Sequence, residues 1–128
     1  MQLRRADVLS GALALLDEGG LEGLTMRRLA ARLDVQAGAL YWHFTNKQAL
    51  LDAMADKLIE GVGENLPPGP WDEQAAALAH RLRAALLAHR DGARVLAGTF
   101  VTESHTLTAG HAAMDILTWP DSPPSGPE

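Results

Sequence analysis

The sequence contains no cysteine. That absence excludes a disulfide framework, a thiolate zinc site and a cysteine nucleophile, and it suits a reducing compartment. Aromatic residues make up only 5% of the chain, so any cluster of them calls for a reason. No apolar run is long enough to cross a bilayer. The stretch after Arg4 and Arg5 is broken by Asp7, Asp17 and Glu18, and no small-residue cleavage site follows. Neither a signal peptide nor a membrane span is expected, and the expected location is cytoplasmic. Catalytic signatures are missing as well. There is no GxSxG, no phosphate loop and no recognisable pair of spaced carboxylates, and Gly61-Val62-Gly63 precedes no phosphate-binding helix. His80, His89, His105 and His111 show neither i, i+4 pairing nor an HExxH-like pattern, which reads as ordinary surface or core histidine. No metal, no cofactor and no enzymatic activity are therefore expected.

What is present fits one ordinary helical domain, or a small domain plus part of a second: 128 residues, 47% of them hydrophobic. The net charge of -5 argues against a nucleic-acid partner only until its placement is considered. Residues 1–57 carry seven basic and seven acidic side chains, whereas residues 58–128 carry four and nine, which accounts for the whole deficit. Between residues 25 and 47, Arg27, Arg28, Arg32 and Lys47 face Asp34 alone. Screening limits exposed charges to a range of about 8 Å at physiological salt, so a small basic patch on an acidic chain can still attract phosphate.

Hydrophobic periodicity predicts helices throughout and no strand. Val8, Leu9, Ala12, Leu15 and Leu16 outline a first helix that Gly19-Gly20 ends. Thr25 is a natural N-cap for a second helix, whose Met26, Leu29, Ala30 and Leu33 share one stripe. It stops near Asp34, which tolerates a left-handed turn, with Val35 placed to plug the corner. Residues 37–44 allow about two turns, in which Leu40 and Phe44 share an inner face. Asn46 caps a fourth helix, with Leu50, Leu51, Met54, Leu58 and Val62 in period. The break "LPPGP" reads as a linker. Beyond it Asp72 can cap a fifth helix to about His89, Asp91-Gly92 is a turn, and shorter helices follow near 93–97 and 103–117. The proline-rich end reads as disordered. The boundaries predicted are a helix-turn-helix domain at 1–45, a connecting helix at 46–65, a linker at 66–71, a partial effector and dimerisation domain at 72–118, and a tail at 119–128.

Two short helices joined by a tight turn and braced on each side match the helix-turn-helix arrangement. In that arrangement the second helix enters the major groove of double-stranded DNA, while hydroxyls, amides and cations around it fix phosphates. Thr25, Tyr41, Trp42, His43 and Lys47 supply such groups, and Arg27 can reach a base or a phosphate. The competing reading of Tyr41 to Phe44 is a core aromatic cluster, but four consecutive helical residues cannot all face inwards. For the three arginines the competing reading is a solvated face, and it fits Arg28 and Arg32 better than Arg27.

The stretch "LTMRRLAARLDVQAGALYWHFTNKQALLDAMADKL" resembles the DNA-binding head of the TetR family of transcriptional regulators, whose signature runs "LYWHF-x-NK-x-x-L". "LLAHRDGARVLAGT", residues 86–99, is similar to a ligand-domain segment of that family's tetracycline-repressor subgroup. The resemblance covers Arg4 to about Leu117. It implies phosphate contacts from Thr25, Tyr41, Trp42, His43 and Lys47, and base reading by Arg27 and the start of the third helix. The reading positions Ala37, Gly38 and Ala39 offer no side-chain hydrogen bond, leaving methyl contacts, close backbone approach and neighbours such as Gln36. The operator is therefore expected to differ from the tetracycline operator. In the subgroup a magnesium-chelated drug is held by a histidine where this chain has Leu96, with a second histidine where it has Gly63. Leu78 and Leu82 replace a polar and an aromatic drug contact. Loss of imidazole ligands argues against magnesium and tetracycline. Leu78, Leu82, Leu96, Thr99 and Phe100 would then wall a pocket for an unidentified apolar effector.

The resemblance implies a ligand-responsive repressor acting as a homodimer on a palindromic operator. Family members continue beyond the point where this sequence ends in "TWPDSPPSGPE", which reads as a C-terminal truncation that puts dimerisation in question. The alternative reading is a remnant or protein-interaction module with a folded head and exposed apolar faces.

Overall fold

The computed structural model describes residues 2–99 and 104–118, and every regular element among them is helical. Helix α1, Arg5–Gly19, buries Val8, Ala12 and Leu16 along one stripe. It ends at Gly20, whose φ of 72° suits glycine and whose amide donates to the Leu16 carbonyl. After a single 3-10 turn at Leu21–Gly23, the Thr25 hydroxyl accepts the Arg28 amide at 3.1 Å and starts α2, Met26–Leu33. Asp34 takes the left-handed conformation, φ 56°, and Val35 folds back so that its amide donates to the Ala30 carbonyl. Helix α3 spans Ala37–His43. Helix α4, Lys47–Leu58, is capped by the Asn46 side chain, which accepts the Ala49 amide at 2.8 Å.

Helix α4 stops at Leu58 and does not reach residue 65. Ile59 leaves helical geometry, residues 59–65 wind through turns, and Gly61 and Asn65 have φ of 81° and 53°. Ile59 and Val62 remain buried inside those turns, so a helix-like apolar spacing persists without the helix. Here the chain passes so near a later helix, α7, that a Cβ on Gly63 would lie 2.7 Å from the Ala109 Cα.

Helix α5, Trp71–Leu87, starts one residue before the expected Asp72 cap, with Pro70 in the capping position. Pro70 holds φ at -61° and ψ at 157°, which sets the chain for a helix beginning at the next residue. Asp72 and Glu73 fall instead in the first turn, where they oppose the positive end of the helix dipole. The guanidinium of Arg81 donates to the Glu64 and Asn65 carbonyls, and Gln74 donates to that of Pro67, so α5 fastens the linker to itself. Asp91, φ 58°, turns the chain into α6, Gly92–Ala97, and α7 spans Ser104–Thr118. The expected tail at 119–128 and Phe100 lie outside the described residues.

One core runs the length of the molecule. Val8, Leu16, Leu24, Leu29, Leu40 and Phe44 fill the head, and Leu50 and Met54 of α4 carry the packing on to Ile59, Val62 and Val95. Helix α5 has no fully buried residue; its Leu78, Leu82, Ala85 and Leu86 pack half-exposed against the rest. Within α3, Leu40 is fully buried, whereas a Cβ on Gly38 would meet nothing. Leu40→Ala should therefore cost about 2–5 kcal/mol in urea unfolding. Gly38→Ala should leave stability unchanged or raise it by up to about 1 kcal/mol.

Candidate nucleic-acid interface

The head turns Leu29 and Ala30 of α2 and Leu40 of α3, with Phe44 just past its end, into the core. The remaining faces of α2 and α3 must then point outwards. Trp42 is 85% exposed and Tyr41 48%, a costly placement for apolar rings. Gln36, Ala37 and Gly38 are exposed at the start of α3, Ala39 is half-buried, and Lys47 is exposed at the start of α4. Arg27 is exposed, and among the described residues no ion pair engages it. Arg32, by contrast, is committed to Glu18 of α1 at 2.6 Å. Thr25 accepts the helix cap, and its hydroxyl hydrogen still has a bond to give.

Two features of this surface were not readable from spacing. The Nε2 of His43 lies 3.2 Å from the Leu3 carbonyl; since a carbonyl only accepts, this nitrogen carries the proton and donates. The guanidinium of Arg5 sits over the Phe44 ring, 4.6 Å from its centroid. Asp7 on α1 is held below the usual carboxylate range, chiefly by the Arg4 amide that it accepts at 2.9 Å. Asp7 therefore stays ionised to lower pH than a free carboxylate, and its stabilising contribution, fully present above the ordinary carboxylate range, is lost as pH falls through its own lowered pKa.

A polar seam joins the head to the corner between α5 and α6. Asp17 accepts from His89 Nδ1 at 2.9 Å and from the Arg90 amide at 3.0 Å. Arg90 also donates to the Glu18 carbonyl, Asp91 Oδ2 accepts the Leu21 amide at 2.9 Å, and Arg94 grips Glu22 with both terminal nitrogens. The Arg94 side chain holds the Glu22 carboxyl below its ordinary range. A second seam ties α4 to the end of α6: Asp52 accepts from the Thr99 hydroxyl at 2.7 Å and from Gln48, which also donates to the Gly98 carbonyl.

Behind that second seam lies a cavity of about 350 Å³, walled by Leu78 and Leu82 of α5, Leu96 and Thr99, Val62 and Ala109. Four of the five residues predicted to wall a pocket meet here. The Thr99 hydroxyl is occupied by Asp52, so the lining is almost wholly hydrocarbon. Among the described residues no group of three His, Cys, Asp or Glu side chains is placed to hold a metal ion, and no helix is long and apolar enough to cross a membrane.

An exposed aromatic face on the second of two short helices, fixed to an α-helical body with an open apolar cleft, defines a helix-turn-helix protein with an appended helical body. Residues 8–54 match the model for bacterial regulatory proteins of the tetR family, and residues 64–118 match the tetracyclin repressor-like C-terminal domain. The chain belongs to the TetR family. It is 50% identical over 101 residues to the class C tetracycline repressor of Escherichia coli, an alignment covering 77% of this chain and 46% of that protein. A possible TetR family regulator from Streptomyces coelicolor A3(2) superposes with a TM-score of 0.80 at 47% identity, covering 90% of this chain and 65% of that one. BioQ, solved with its double-stranded DNA operator, gives a TM-score of 0.73 at 33% identity, covering 90% and 87%. The chain spans about half the length of the curated relatives it matches.

The seam to α6 depends on Asp91, which both adopts a left-handed conformation and accepts the partly buried Leu21 amide. Asp91→Ala should lower unfolding stability by about 1–3 kcal/mol, whereas Asp91→Asn, which keeps an acceptor and tolerates the conformation, should retain most of it.

Proposed function

We propose that the chain is a sequence-specific DNA-binding transcriptional regulator of the repressor type, with no enzymatic activity. One observation carries this reading: the outward face of α3 leaves Trp42 and Tyr41 exposed on an otherwise packed head that also exposes Arg27 and Lys47, neither in an ion pair among the described residues. Family membership and the likeness to BioQ, solved on its operator, support it. In this reading α3 enters the major groove. Gln36, Ala37, Gly38 and Ala39 face base edges, with Arg27 beside them, and Thr25, Tyr41, Trp42 and Lys47 line the phosphates, with His43 at the same edge and its Nε2 held by the Leu3 carbonyl. The protein works in the cytoplasm, as a homodimer that sets two such helices roughly 34–36 Å apart on a palindromic operator. The head is residues 1–45, residues 46–65 transmit, and 72–118 form the responsive body beyond the 66–71 linker.

The effector in this reading is a small apolar molecule seated between Leu78, Leu82, Leu96 and Thr99. A magnesium-chelated tetracycline fits poorly, because Gly63 and Leu96 offer no ligand and the cavity wall is hydrocarbon. A ligand that pushed Leu96 or Thr99 would act on the Thr99–Asp52 bond, and thus on α4, and through α6 on the Arg94–Glu22 and Asp91–Leu21 contacts that hold the head.

Binding to duplexes selected from a random pool, together with light scattering, tests the reading. Enrichment of an inverted repeat, bound by a dimer with affinity falling steeply in salt, is the expected result. A monomer at every concentration that enriches no repeat would overturn it. Lys47→Ala should flatten the log-affinity against log-salt slope by roughly 0.9 while leaving base preference unchanged.

A further inference from the structure

The N-terminal segment is folded onto the DNA-facing corner of the head in a way that the proposed function does not use. His43 donates its Nε2 proton to the Leu3 carbonyl, and two residues further on the Arg5 guanidinium covers the Phe44 ring. We propose that Arg5 is a further phosphodiester-binding residue of this interface, and that His43 is the positioning residue that lays the N-terminal segment against the end of α3. The proposal rests on the DNA-binding reading and extends it beyond the helix-turn-helix itself.

Three observations support it. Phe44 is almost completely buried, so its ring is a fixed platform, and 4.6 Å is within the distance at which a guanidinium is held over a ring face. Stacking uses the flat face of the guanidinium and leaves its edge donors free, and that edge is what grips a phosphate in a two-point contact. No carboxylate pairs with Arg5 among the described residues. Arg4 beside it is partly taken by Asp7, 3.5 Å from its Nε, and Asp7 is in turn engaged by the Arg4 amide. Arg5 is thus an exposed cation, stacked on Phe44 and in no ion pair among the described residues.

The His43 bond sharpens the assignment. With Nε2–H given to the Leu3 carbonyl, that donor is committed to the N-terminal segment. Two residues on from Leu3, Arg5 is the stacked cation, with no ion pair among the described residues. His43 then contributes by fixing where the segment lies.

Phosphate contacts are independent of sequence, so the test needs no operator. Anisotropy of a fluorescein-labelled, mixed-sequence duplex is read over a salt series for the wild type and for Arg5→Ala, Arg5→Lys, His43→Ala and the Arg5→Ala/His43→Ala pair. Arg5→Ala should weaken binding roughly fivefold at low salt and reduce the slope by roughly 0.9, and Arg5→Lys should restore the slope. His43→Ala should weaken binding on its own but add nothing in the Arg5→Ala background, because a positioning residue acts through the residue it positions. Equal slopes for wild type and Arg5→Ala would overturn the Arg5 assignment while leaving the DNA-binding reading intact. Additive losses in the double variant would overturn the positioning role. A wild type that binds no duplex in a salt-dependent way would overturn both this proposal and the functional reading on which it rests. Arg5 is exposed, so an unchanged urea midpoint for Arg5→Ala excludes a folding cause, and failure of Arg5→Lys to recover the slope would count against the proposal.

Discussion

Burial of Leu50, Met54 and Leu58 along α4 is the constraint on which the rest of the structure depends. One helix of 12 residues packs against α1 on the head side and against α6 and α7 on the body side, so neither half can shift without disturbing the other's core. Close-packed interiors deform little and switch between discrete arrangements instead. The polar seam at Asp17, Glu22 and Asp91 reinforces that junction, because it joins the head to the corner between α5 and α6 and to α6 itself.

The same constraint explains the surface of the head. Once Leu40 and Phe44 turn into the core, where α3 packs against α2, the helical repeat leaves Tyr41 and Trp42 no interior position. The exposed aromatics therefore follow from the core, and the chemistry of the outer face was open to selection for a partner. The cavity follows a related logic. α5 lies over the body without a single fully buried residue, and the space between it, the 59–62 turn and α7 is lined by Leu78, Leu82, Val62 and Ala109.

Much of this was legible in the sequence. The caps at Thr25 and Asn46, the glycine stop at Gly20, the left-handed Asp34 and the inward pair Leu40 and Phe44 each depend on residues within a few positions of one another, and local spacing encodes such features directly. Leu78, Leu82, Leu96 and Thr99 were grouped through family likeness, since their meeting depends on two separate segments, α5 and the end of α6. Two local misreadings have physical causes. Val62 kept a helical period while lying in a turn, and Pro70 started α5 by its fixed φ in place of a side-chain cap. Illegible were the contacts between distant segments, such as His89 with Asp17, 72 residues apart, and His43 with Leu3, 40 apart. A histidine or an arginine on a surface face has no periodic signature that names its partner.

Gly63 has a consequence for what the 59–65 turn can carry. A Cβ built on it would lie 2.7 Å from the Ala109 Cα, so even a methyl group would need the backbone of α7 to move. Any side chain at this position would have to displace a helix before it could touch a ligand. The close approach of the two backbones thus keeps this point of the body free of side-chain chemistry, and the spacing between the turn and α7 is set by the absence of a single carbon.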